Sequence, residues 1–192
     1  EAKYEITVKA NSATATYDGK EHEAVGVETY EFTVEGNSYT VSGLSTEDPK
    51  QKDAGSYTNN ITGTPVVTDK EGNVVTSEFE VKTENGSLEI GKAAVTLKSA
   101  TLSKKYDGNA LVNGDTALEI ESGFAEGEGA TYNFTGSQTV VGSSANAFSY
   151  ELNSNTNIDN YEISKQEGTL TVTNREAKYE ITVKANSATA TY

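Results

Sequence analysis

His22 is the only histidine of the 192-residue chain, and it stands between Glu21 and Glu23, just after the pair Asp18-Gly19. A Ser–His–Asp relay would have to run through it. A loop histidine exposed among carboxylates is the simpler expectation. No G-x-S-x-G, HExxH or Walker-type glycine loop occurs. The run Gly123-Phe124-Ala125-Glu126-Gly127-Glu128-Gly129 is rich in glycine, but its glutamates would repel a phosphate, so it reads as an acidic turn. Calcium would want clustered hard oxygen ligands. Asn153-Ser154-Asn155-Thr156-Asn157-Ile158-Asp159-Asn160 offers them with Asp159 as its sole carboxylate, which favours a solvated, Asn-rich turn. Asp69-Lys70-Glu71-Gly72-Asn73 likewise reads as a hairpin turn rather than a metal loop. Lys9 and Lys98 occupy equivalent strand positions. An internal isopeptide bond at either would need a buried lysine, an Asn or Asp partner and an acidic catalyst. Cysteine is absent, which excludes disulfides and Cys-based zinc sites. No catalytic, cofactor-binding or metal-ligating residue is assigned, no cofactor is expected, and the chain is not expected to be an enzyme.

The elements that would position these residues are strands. Apolar residues alternate with polar ones in short bursts: Tyr4-x-Ile6-x-Val8, Phe32-x-Val34, Phe79-x-Val81, Leu88-x-Ile90, Val95-x-Leu97, Phe148-x-Tyr150-x-Leu152, Tyr161-x-Ile163 and Leu170-x-Val172. A period of two in β-branched and aromatic residues predicts half-buried strands. Turn signals separate them at Asp18-Gly19, Glu35-Gly36-Asn37, Glu71-Gly72-Asn73, Asn85-Gly86, Asp107-Gly108 and Asn113-Gly114. No stretch carries a helical stripe. The expected class is all-β, with small sandwich modules, Ig-like or β-grasp-like, of roughly six to eight strands each.

The chain ends by repeating its beginning. Glu1–Tyr17 and Glu176–Tyr192 both read EAKYEITVKANSATATY, 175 residues apart. A long fixed period belongs to proteins that work by being repeated. A second, diverged repeat lies inside the first. Ile6-Thr7-Val8-Lys9 leads to Tyr17-Asp18-Gly19 as Val95-Thr96-Leu97-Lys98 leads to Tyr106-Asp107-Gly108, 89 residues later. Phe79-Glu80-Val81 leads to Gly86-Ser87-Leu88-Glu89-Ile90 as Tyr161-Glu162-Ile163 leads to Gly168-Thr169-Leu170-Thr171-Val172. The organisation expected is module A over 1–91, module B over 92–175, and the first strand region of a further A over 176–192. The connections Gly91-Lys92-Ala93 and Thr173-Asn174-Arg175-Glu176-Ala177 are short and are not flexible tracts. Modules set end to end would add roughly 60–80 Å per repeat, at about 3.3 Å per strand residue.

Composition narrows the partners. Fifteen basic against 29 acidic residues give a net charge of −14. Such a surface repels nucleic acid and anionic lipid and keeps neighbouring copies soluble. No apolar run is long enough to span a membrane, so no membrane insertion is expected within this segment. Cysteine, methionine and tryptophan are all absent. An acidic, Thr/Ser/Asn/Gly-rich repetitive chain without thiols suits the surface of a Gram-positive bacterium. An ordinary cytosolic protein lacking cysteine is the alternative.

Several of these pieces resemble the MBG and YDG families of bacterial surface-protein repeats. Lys92-Ala93-Ala94-Val95-Thr96-Leu97 is similar to their opening strand. Thr16-Tyr17-Asp18-Gly19-Lys20 and Lys105-Tyr106-Asp107-Gly108 match the YDG signature. Asp53-Ala54-Gly55-Ser56-Tyr57 looks like their central strand, and Asn160-Tyr161-Glu162-Ile163 with Glu167-Gly168-Thr169-Leu170-Thr171-Val172 like their closing hairpin. Thr135-Gly136-Ser137-Gln138-Thr139 and Val141-Gly142-Ser143-Ser144 also resemble such repeats. Module B departs at the central strand, where Asn146-Ala147-Phe148 stands in place of Gly55-Ser56-Tyr57. The resemblance implies a tandem unit of a large secreted or wall-anchored, adhesin-like protein. The physics of the signature is local: Asp-Gly makes a tight turn, and the tyrosine before it brings an apolar face and one hydroxyl to satisfy. Tyr17 and Tyr106 are therefore expected to be structural corners.

The leading functional expectation is a stiff, extracellular stalk or spacer at a bacterial surface or wall, partnered by neighbouring repeats. Two other classes stand beside it: a weak host-glycan or host-protein site multiplied by avidity, and a self-assembling fibre joined by strand exchange. The surplus 17-residue copy leaves three arrangements open. The segment could serve both modules, pair with a neighbouring molecule, or belong to a continuous array.

Overall fold

The computed structural model describes residues 2–115, 117–178 and 180–192. Strand β1 (Tyr4–Lys9) shows how the alternation folds: Ile6 and Val8 point inward while Glu5 and Lys9 stay in water. The strands of the first half continue as β2 (Ala13–Thr16), β3 (His22–Glu23), β4 (Glu31–Val34), β5 (Asn37–Thr46), β6 (Lys50–Gln51), β7 (Gly55–Asn59), β8 (Ile61–Asp69), β9 (Phe79–Glu84) and β10 (Gly86–Gly91). The second half holds β11 (Ala93–Lys98), β12 (Leu102–Lys105), β13 (Leu111–Val112), β14 (Ile120–Ser122) and β15 (Ala130–Phe134). It closes with β16 (Ser137–Gln138), β17 (Gly142–Ala145), β18 (Phe148–Leu152), β19 (Tyr161–Gln166) and β20 (Thr169–Thr173). The protein is all-β. The helical pieces among the described residues are two 3₁₀ turns, Thr76–Glu78 and Ile158–Asn160, and no helix there is long and apolar enough to cross a membrane.

The chain divides into two units. Unit 1 is Glu1–Thr96, Glu121–Thr131 and Glu151–Ser164; unit 2 is Leu97–Ile120, Tyr132–Tyr150 and Lys165–Tyr192. These units cut across the halves marked by sequence similarity. Lys92 alone separates β10 from β11, and β11, β14, β15, β18 and β19 each have residues in both units.

In unit 1, β1 lies parallel to β9, from Tyr4↔Phe79 to Lys9↔Glu84. The chain then bends, and β2 lies parallel to β10, which carries β7 antiparallel on its other side. The order β4-β5-β8 forms a third sheet. Ile6, Val8, Val41, Val67 and Phe79 form the core between these sheets, with Phe32, Tyr39, Leu44 and Ile61 packed against it. In unit 2 the order β12-β20-β17 repeats that of β2-β10-β7: β12 is parallel to β20, and β17 is antiparallel to it. Leu170 and Val172 are buried there as Leu88 and Ile90 are in unit 1.

The strand partners correct one expected equivalence. Gly55-Ser56-Tyr57 pairs with Leu88–Ile90, and the matching partners of β20 are Gly142-Ser143-Ser144, not Asn146-Ala147-Phe148. Asn146 instead matches Asn59, and both are fully buried. Asn59 donates to the carbonyls of Asn11 (3.1 Å) and Gly26 (3.4 Å), and its Oδ1 accepts from the Asp48 N–H (3.0 Å). Asn146 donates to the carbonyl of Ala100 (2.9 Å), the counterpart of Asn11, and to Oδ1 of Asn113 (2.7 Å). Beside each asparagine a glycine lies against the facing bend. A Cβ on Gly86 would stand 2.2 Å from the Asn11 carbonyl oxygen, and one on Gly168 2.3 Å from that of Ala100.

Those obstacles are backbone atoms, which cannot swing aside as a side chain would. We expect Gly86→Ala and Gly168→Ala each to cost about 1–3 kcal/mol. Gly114→Ala, whose Cβ would meet nothing within 4 Å, should stay within about 0.5 kcal/mol of the parent. Urea unfolding of the three variants checks both statements.

Candidate functional site

A set of interacting polar and aromatic side chains lies in unit 1 around Glu128. Tyr17 follows β2 and is buried, its backbone N–H donating to the Gly91 carbonyl at 2.8 Å. Its hydroxyl donates to Oε1 of Glu128 at 2.5 Å. Tyr161, at the start of β19, donates to Oε2 at 2.9 Å and accepts from the Ala125 N–H at 3.0 Å. The two tyrosine rings meet edge to face with centroids 5.3 Å apart, and Phe124 stands on Tyr161 at 5.2 Å. Lys52 Nζ lies 4.0 Å from Oε1, and the Glu128 side chain is only 7% exposed. Next to this group, buried Asn160 accepts from the Ala54 N–H and donates to Oδ1 of Asp53, both at 2.8 Å.

Electrostatics follow from that enclosure. Burial first, then the hydrogen bond and charge of Glu128, push the Tyr17 hydroxyl far above the ordinary tyrosine value. Tyr161 is raised as well, by burial first and by Glu128, against the lowering pull of the Ala125 N–H. Both carboxylate oxygens accept from phenols, and phenols held so strongly protonated are poor bases and poor nucleophiles. The arrangement is a clamp that ties the Tyr17 corner to residues 124–128 and to Tyr161.

The other flagged residues lie apart from it, each in a local role. His22 Nε2 sits 2.9 Å from Oδ1 of Asp18, and the same oxygen accepts from the Lys20 N–H. That N–H, and then His22, hold the Asp18 carboxyl below its usual range. Tyr106 repeats the corner, with its N–H 2.8 Å from the Thr173 carbonyl and with Asp107 accepting from Asn109 N–H and from Lys104. Yet Tyr106 is only half-buried, and with Lys105, Asp107, Arg175, Glu176 and Ala177 it lines a cleft of unit 2. Asp69 accepts from the N–H groups of Glu71 and Asn73 and from the Asn73 amide, which closes the turn after β8. In the Asn153–Asn160 run, Asn157 caps its 3₁₀ turn by accepting from Asp159 N–H, Thr156 accepts from Gly129 N–H, and Asn155 donates to the Gly127 carbonyl. Lys9 and Lys98 each face a carboxylate, Glu84 at 2.9 Å and Glu119 at 3.1 Å, with side chains 49% and 31% exposed. Neither is the buried amine that an isopeptide needs.

Among the described residues no group of three or more His, Asp or Glu side chains is placed to hold a metal ion. Sequence reasoning marked Tyr17 and the glycine-rich run separately and missed that Glu128 joins them. Glu126 and Glu128 look alike in a run where glutamate and glycine alternate, and no local signal says which one turns inward. Comparison with known proteins finds no matching family model, no matching curated protein and no matching solved structure.

Tyr17→Phe should lower the free energy of unfolding by about 1.5–3 kcal/mol, the usual worth of a hydrogen bond to a charged group. Tyr106→Phe should stay within about 0.5 kcal/mol. The pH dependence has a definite sign. A tyrosine raised in the folded state contributes stability that is complete below its unfolded value of about 10 and is lost as pH rises beyond it. Unfolding midpoints should therefore fall above about pH 10, and less steeply in Tyr17→Phe. Urea titrations at neutral and alkaline pH measure both effects.

Proposed function

We propose that the chain is a non-catalytic structural repeat, a stiff spacer in an extracellular, adhesin-like array of the MBG/YDG type at a bacterial surface or wall. The observation that carries the reading is the identity of Glu1–Tyr17 with Glu176–Tyr192 at a period of 175 residues. Length in such a protein is set by copy number alone. The diverged inner repeat adds support, because β2-β10-β7 and β12-β20-β17 use one pairing scheme. Short connections favour stiffness, and a single residue lies between β10 and β11. The polar groups flagged for chemistry are engaged in turns, ion pairs and the Glu128 clamp, as suits a scaffold. A net charge of −14 disfavours nucleic acid and anionic membrane surfaces as partners; neighbouring repeats are the expected partners, with a host glycan or protein as the alternative. On this reading two sandwich modules follow one another along each repeat.

Small-angle scattering on chains of one, two and four 175-residue units tests it. Maximum dimension should grow linearly, by roughly 60–80 Å per unit, at every concentration. Growth that flattens with copy number would show modules packed side by side and overturn the spacer.

A further inference from the structure

Ile181 and Val183 share the sequence context of Ile6 and Val8 and have the opposite burial. Ile6 is 3% and Val8 0% exposed, whereas Ile181 is 84% and Val183 88% exposed. The described residues 180–192 form no strand and are exposed throughout. Among the described residues, an alternation that buries one face of β1 is thus written a second time and stands exposed.

The surface that would cover it is known in detail, because the first copy occupies it. That surface is β9 from Phe79 to Glu84, then β10 from Leu88 to Gly91. Four polar contacts of the resident segment have counterparts ready in the second copy. Lys9 faces Glu84, Glu5 faces Lys82, Ser12 accepts from the Ser87 N–H, and Tyr17 reaches Glu128. The matching residues are Lys184, Glu180, Ser187 and Tyr192. The segment adds no charge of its own to the encounter, since its 17 residues hold two glutamates and two lysines, and physiological salt screens the repulsion between two chains of net charge −14.

We infer that Glu176–Tyr192 is a donor strand that takes the place of β1 and β2 in a second copy of this chain. Exchange replaces one set of contacts with an identical set, so concentration decides the outcome. The resident strand is tethered and competes at an effective concentration on the order of 1 mM. At ~0.1 mM chain, the donor should then hold about one groove in ten. The same contacts close within one molecule wherever a further copy of residues 18–91 follows in the chain. A spacer needs no exchange between molecules, so the two ideas fail separately.

The chain has no cysteine, which makes a clean crosslinking test possible. Thr7 and Lys82 are partners across β1 and β9, and Thr182 is the counterpart of Thr7. One chain carries Lys82→Cys, and a second chain, of different length through a tag, carries Thr182→Cys. Both are unfolded together, refolded at ~0.1 mM of each in physiological salt, and treated with a short bis-maleimide. The expected result is a mixed-length dimer from about one chain in ten, rising with concentration. It should fall at least tenfold when the donor also carries Ile181→Asp and Val183→Asp. A dimer yield no greater than with that Asp-bearing donor overturns the inference. Thr7→Cys with Lys82→Cys in one chain confirms that the altered groove still seats its own strand, so an absent dimer cannot be blamed on misfolding.

Discussion

Each half of the chain depends on a crossing where two bends of backbone touch with no room for a side chain between them. In the first half β1 turns into β2 as β9 turns into β10, and Gly86 lies on the Ala10–Asn11 carbonyls. In the second half Gly168 lies on those of Ser99 and Ala100. Contact this close leaves amide groups that water cannot reach, and each would cost about 1–3 kcal/mol if unpaired. A buried asparagine meets that need in both places, Asn59 in one and Asn146 in the other. With the crossing sealed, the first and last strands run parallel on both sides of the bend. The apolar faces of β1 and β9 can then close over Val41 and Val67. Core packing is thus downstream of one backbone contact.

How much of this was legible depended on whether the determining partners lay near in sequence. The alternation of Ile6 and Val8, of Leu88 and Ile90, and of Leu170 and Val172 gave strands, and those residues are buried. Asp18 and Asp107 announced turns because the groups they bond, the N–H of Lys20 and of Asn109, lie two residues away. The buried asparagines were not legible. A polar residue at the end of a strand reads as solvent-facing, and Asn146, just past β17, is inside only because Ala100 and Asn113, far off in the chain, supply its partners. The same limit hid Glu128, whose phenolic donors come from Tyr17 and Tyr161. It also misaligned the central strand, because Gly55-Ser56-Tyr57 and Gly142-Ser143-Ser144 are matched by the distant closing strand each pairs with, and a shared Gly-Ser is too common to mark the match by itself.

The two Tyr-Asp-Gly corners show how one motif carries different loads. Backbone and aspartate behave alike in both: the tyrosine N–H meets the end of the closing strand, and the carboxylate accepts an N–H two residues on. The aspartate turn is local chemistry, the backbone bond to Gly91 or Thr173 is set by the fold, and both recur in the two halves. The side chain is not local. Tyr17 is buried against Glu128 and Tyr161, while Tyr106 is half-buried beside Arg175 and Glu176. A signature can therefore hold a turn in every copy and still leave its tyrosine free to be recruited by whatever packs against it.

Where the halves differ in length points the same way. Equivalent positions lie 89 residues apart through β1 and β11 and through β2 and β12. They lie 87 apart at β7 and β17, and 82 apart at β9 and β19. Residues have been gained or lost only between the second strand and the closing pair, in the stretch that builds hairpins and loops. Such stretches absorb length changes at small cost. The opening and closing strands cannot, because a one-residue slip in either would turn its buried face outward and move the glycine off the crossing. The fold itself requires this pattern: freedom in the middle, and strict spacing wherever one strand must find its parallel partner across the length of the half.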